Sequence, residues 1–124
     1  MASKESLFHQ HPDYKVALGP ERFAARAEVN GVQVAASDRA VELHESKHAP
    51  VIYFPLDALA ETYFQRTEHS TFCPFKGEAS YWSIVSGGET LENAAWSYED
   101  PFPEVDEIRG LVAFYGDKVN VIRG

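Results

Sequence analysis

Arg22-Phe23-Ala24-Ala25-Arg26-Ala27-Glu28-Val29-Asn30-Gly31-Val32-Gln33-Val34-Ala35-Ala36 is the stretch whose pattern decides the fold. Asn-Gly between two apolar-rich runs signals a two-residue hairpin, because both central positions of a type I′ turn need φ > 0. Residues 22–29 read as one strand, and Val32, Val34 and Ala36 alternate along its return partner. Ser37-Asp38 reads as the next turn, with a third strand over residues 40–45. Working outward, Val51-Ile52-Tyr53-Phe54 before Pro55 reads as a short buried strand. Residues 55–64 carry Leu56, Leu59, Ala60 and Tyr63 near helical spacing and suggest a short helix.

Strands are expected over residues 66–71, 79–85 and 92–98, with Gly87-Gly88 turning the last two. Residues 104–109 suggest one or two helical turns stopped by Gly110. Residues 111–115, a Gly116-Asp117 turn and residues 118–122 suggest a final hairpin. Turn signals at intervals of about 8–12 residues point to an antiparallel sandwich or barrel. The expectation is one mostly β domain of about eight short antiparallel strands with one or two short helices, spanning residues 13–124 behind a flexible tail over residues 1–12.

Composition agrees with a single globular body. The chain has 124 residues, 44% hydrophobic and 24% charged, and its 13% aromatic content favours strands. Its formal net charge is −8. Between Gly87 and Glu107 there are seven acids and no Lys or Arg. Such a surface repels phosphate backbones and anionic membrane faces, which argues against nucleic-acid and membrane partners. A single cysteine makes neither an internal disulfide nor a multi-cysteine zinc site. With no secretory h-region after Met1, a cytoplasmic setting is the expectation.

The densest chemistry lies in Thr71-Phe72-Cys73-Pro74-Phe75-Lys76-Gly77-Glu78-Ala79-Ser80-Tyr81-Trp82, which holds the lone cysteine, a lysine three residues on and four aromatics. That segment, together with Val51-Ile-Tyr-Phe-Pro, Asn93-Ala-Ala-Trp-Ser-Tyr and Leu111-Val-Ala-Phe-Tyr, resembles the small bacterial DUF427 family, from about Gly19 to Val121. The resemblance implies a compact, mostly β, cytosolic domain of unestablished role. The family sometimes carries a nucleotidyltransferase-type label. Here no Gly-Ser loop is followed by spaced aspartates, and the nearest carboxylate pair is Glu104-x-Asp106.

The expected site is a small-molecule pocket at the Cys73–Gly77 corner. Lys76 beside the open backbone of Gly77 suits a small anionic metabolite. Cys73 is the candidate nucleophile, activated by a nearby cation. Glu45 or its neighbour His48 is the candidate acid–base group, and His69 lies four residues before Cys73. Tyr53, Tyr81, Trp96 and Tyr98 are the expected walls, with Phe75, Phe114 and one Trp in the core. Core packing of these rings and a solvated Glu45 are the plainer alternatives. His44-Glu45-Ser46-Lys47-His48 fits H-E-x-x-H, but Pro50 and the preceding strand pattern deny it the helix that presents two zinc ligands together. No metal or cofactor is expected. A non-enzymatic, homodimerising interaction module is the competing functional class.

Overall fold

A computed structural model describes residues 5–124. Nine strands occur among them: β1 (Val16–Leu18), β2 (Phe23–Val29), β3 (Val32–Glu45), β4 (Val51–Tyr53), β5 (Phe64–Cys73), β6 (Gly77–Ser86), β7 (Glu89–Ser97), β8 (Val112–Phe114) and β9 (Asn120–Arg123). All pairings are antiparallel. One sheet runs β1-β3-β2-β9 with β4 also on β3, and the other runs β5-β6-β7-β8. The mostly β fold is as the turn spacing implied.

The founding hairpin forms as read: Asn30 and Gly31 take φ of 51° and 80°, and Val29 pairs with Val32. Ser37-Asp38, by contrast, does not turn the chain. Ala25 pairs with Ser37 while Phe23 pairs with Ala40, so β3 carries one extra residue and bulges. The Ser37 hydroxyl accepts from the Arg39 N–H across this kink. β3 therefore continues, and its end is gripped by β1 and β4, which both pair with Leu43. The bulge sets the phase that turns Val41, Leu43 and Glu45 inward and leaves His44 exposed.

The helix expected over residues 55–64 becomes two 3-10 turns, Leu56–Ala58 and Glu61–Tyr63. Between them Leu59 is extended and bridges Ala35, and the Ala60 N–H donates to the Val34 carbonyl. The neighbouring strand takes the backbone groups that a helix needs. Residues 104–109 also form 3-10 turns, within Pro103–Ile108, so no α-helix occurs among the described residues. The terminal hairpin is likewise replaced. β8 is buried at all three residues and pairs with β7, whereas β9 pairs with β2 in the other sheet.

Phe54 joins the two sheets. Its N–H and C=O pair with Val112 at 2.7 and 2.8 Å, and its ring is fully buried against Phe114. One core cluster surrounds Phe54, Ile84, Val112 and Val34. A second gathers Val41, Leu43, Tyr53, Tyr81, Tyr98, Val105 and Ile108. The site stands on this second cluster.

The expected tail falls partly on residues 1–4, which lie outside the described residues. From Ser6 onward the segment rests on the domain: Ser6 is buried and donates to Glu104, and the Leu7 N–H donates to the Pro74 carbonyl.

Gly77 opens β6 at φ +110°, where an added Cβ would lie 3.4 Å from the Asp100 carbonyl oxygen. The preceding Lys76 carbonyl accepts from the Phe102 N–H at 3.1 Å. Gly77→Ala is therefore expected to cost about 1–3 kcal/mol of stability through backbone strain. An unchanged urea midpoint would show that this conformation is not required.

Candidate functional site

The β5–β6 hairpin presents Cys73, Pro74, Phe75 and Lys76 at its tip, with Cys73 paired to Gly77. Lys76 turns inward rather than to solvent. Its Nζ lies 2.5 Å from Glu45 Oε1, and the two side chains are only 12% and 9% exposed. Glu45 reaches that point because the β3 bulge aligns it with Val41 and Leu43. Its other oxygen accepts from the Tyr14 hydroxyl and lies 3.8 Å from His48 Nε2. Tyr14 is held by a stacked contact with Phe75, their centroids 3.8 Å apart.

Burial pulls the Glu45 carboxyl upward, but hydrogen bonds from Lys76 and Tyr14 outweigh it and hold the group below the usual carboxylate range. Burial raises the Tyr14, Tyr53 and Tyr98 phenols well above theirs. Burial, then the hydrogen bond with Tyr81, pushes Tyr115 up to about 12. At neutral pH Glu45 is thus ionised and the phenols keep their protons. This set suits donating hydrogen bonds to an acceptor. Glu45 suits orienting Lys76 and is ill suited to giving up a proton.

A cavity of about 450 Å³ opens over this pair. Lys76, Glu45, Cys73 and His48 contribute its polar lining, and Tyr53, Tyr81, Trp96 and Tyr98 contribute walls. Tyr81 pairs directly with Trp96 across β6 and β7. Trp96 Nε1 donates to the Tyr53 hydroxyl at 3.1 Å, and the Tyr81 hydroxyl sits between those of Thr71 (2.9 Å to Oγ1) and Tyr115 (3.4 Å). Lys76 Nζ lies 5.4 Å from the Tyr98 ring centroid. Tyr98 is 7% exposed, and its hydroxyl has no hydrogen-bond partner among the described residues. Among them, the one unpartnered side-chain atom sealed from solvent is Ser97 Oγ, and Tyr98 lines the cavity.

Of the sequence-selected positions, Glu45, Tyr53, Cys73, Lys76, Tyr81, Trp96, Tyr98 and the neighbouring His48 meet at this cavity. Gly77 does not line it, and its backbone instead presses on residues 100–102. His69 is exposed and edge-on to Tyr81 at 4.5 Å, outside the lining. Phe75, expected in the core, is half-buried and lines the cavity. Sequence reasoning missed Tyr14 and Tyr115. The alternation that buries Ala113 carries Tyr115 to the same side, a legible signal. Tyr14 lies in a polar stretch with no such pattern.

The H-E-x-x-H residues occupy a strand end and a turn. His44 is exposed beside Glu42, and His48 faces Glu45. Glu104 is engaged by Ser6 and Asp106 by Arg109, on a larger open groove of about 860 Å³. Asp100 there also pairs with Arg109, so this groove is an acidic surface crossed by its own cation.

No helix among the described residues is long and apolar enough to cross a membrane. No curated protein matches the chain. The model of a family described as a domain of unknown function, DUF427, matches residues 18–124. That match takes in every strand after β1 and all of the cavity's residues except Tyr14. The chain that builds this lysine–glutamate cavity on two antiparallel sheets therefore belongs to the DUF427 family.

Proposed function

We propose that the chain binds a small anionic, acceptor-rich molecule in the cavity at the Cys73–Gly77 corner. One observation carries the reading: a nearly buried ammonium shares a cavity with phenol hydroxyls that remain protonated. Lys76 has one oxygen partner, leaving two N–H groups for a ligand. Glu45 and Tyr14 hold the ammonium in place, and the rings exclude water and strengthen its attraction for an anion. Cys73 stands on the same wall, where a bound electrophile would meet its thiol.

The test is calorimetric titration with small carboxylates and phosphates at neutral pH. Saturable binding is expected in the wild type and its loss in Lys76→Met, which keeps the apolar stem. Binding that survives unchanged in folded Lys76→Met would remove the lysine from the site.

A further inference from the structure

The cavity's own charge and shape narrow the ligand class, an inference that rests on the anion-binding reading just given. Three features act together. First, Glu45 lies 2.5 Å from Lys76, so the site already holds one negative charge against one positive charge. A monoanion leaves it with a single net charge. A dianion such as a phosphate monoester brings a second negative charge beside Glu45, which repels it. Second, Tyr98 is 7% exposed as a residue, lines the same cavity and carries its ring 5.4 Å from the ammonium. Lys76 and Tyr98 thus supply the cavity with two donor groups, a two-donor end with as many donors as one carboxylate has oxygens. Third, the remaining walls are rings. Tyr53 and Trp96 meet edge to face at 88°, and Tyr115 lies 4.6 Å from Trp96. A flat aromatic body fits among them better than an alkyl chain or a sugar, because ring edges and faces are complementary.

We infer that the site takes an aryl monocarboxylate, its carboxylate held by Lys76 Nζ and the Tyr98 hydroxyl and its ring against Trp96 and Tyr115. The volume of about 450 Å³ leaves room for ring substituents. Glu45 then acts as a charge filter as well as the clamp on Lys76.

Titration of the intact protein with benzoate, acetate and phenyl phosphate at pH 7 tests this. Benzoate is expected to bind at least about tenfold more tightly than either of the others. Tyr98→Phe, which keeps the ring, is expected to weaken benzoate by about tenfold while the protein melts as a folded domain. Glu45→Gln is expected to strengthen phenyl phosphate more than benzoate, since the filter acts on the second charge. Equal affinities for acetate and benzoate overturn the aryl assignment, and tighter phenyl phosphate overturns the single-charge assignment, while either leaves anion binding standing. An unchanged benzoate affinity in Tyr98→Phe removes the two-donor end. No binding of any probe at tens of millimolar overturns both this inference and the anion reading.

Discussion

Replacing Lys76 with alanine is expected to destabilise the domain by about 3 kcal/mol at pH 7, because it strands a buried carboxylate without its cation. Glu45 is 9% exposed and, among the described residues, accepts from one other donor, Tyr14. Hydrogen bonds hold the Glu45 carboxyl below its ordinary range in the folded protein. In the wild type the pair's stabilisation is present above the unfolded value of about 4.3 and is lost as pH falls through the lower folded value. In Lys76→Ala the pull of burial is no longer opposed by the ammonium, so Glu45 takes up its proton at higher pH. The gap between wild type and variant should therefore narrow as pH drops from 7 towards 4. Urea denaturation across that range measures it. The double variant Glu45→Gln/Lys76→Met should be more stable than Lys76→Ala alone, since it removes both charges. A pH-independent gap below about 0.5 kcal/mol would place the pair among ordinary surface contacts.

Phe54→Ala is expected to cost about 3–5 kcal/mol, with a fall in Tm of roughly 10–20 °C. The ring is completely buried and touches the first core cluster at the one residue whose backbone ties β4 to β8. Deleting it leaves a cavity where two sheets meet, and neither can collapse without breaking the paired bonds to Val112. Comparing it with Leu56→Ala, two residues away and 57% exposed, provides the control, since that change should be nearly neutral. Similar losses in both variants would show that the seam at Phe54 does not organise the core.

Local signals in the chain were legible where the physics is local. Asn30-Gly31 and Gly87-Gly88 make their turns because φ > 0 is a property of those residues themselves. In the apolar run before Pro55, Tyr53 and Phe54 are buried and Val51 and Ile52 half-buried, and the Tyr81/Trp96 side pairing follows from strand alternation across a short turn. The signals that misled were local preferences overridden by a distant partner. Ser37-Asp38 suits a turn or a bulge equally well, and pairing with β2 and β4 selects the bulge. Residues 55–64 have helical spacing, but the Val34 carbonyl claims the Ala60 N–H. Gly116-Asp117 does redirect the chain, yet each flanking strand finds its partner in a different sheet.

The candidate site divides along the same line. Strand-rich architecture, the acidic surface and the crowding of Cys73, Lys76 and rings into one corner are written in residue types and short spacings, which act through nearest-neighbour sterics and alternation. The direction Lys76 takes, the carboxylate it meets and the tyrosine that locks that carboxylate depend on contacts spanning 31 residues in sequence. Such contacts are chosen by the free energy of burying a charge only where its counter-charge is already waiting. That condition is set by the packed sheets together, and no stretch of the chain carries it alone.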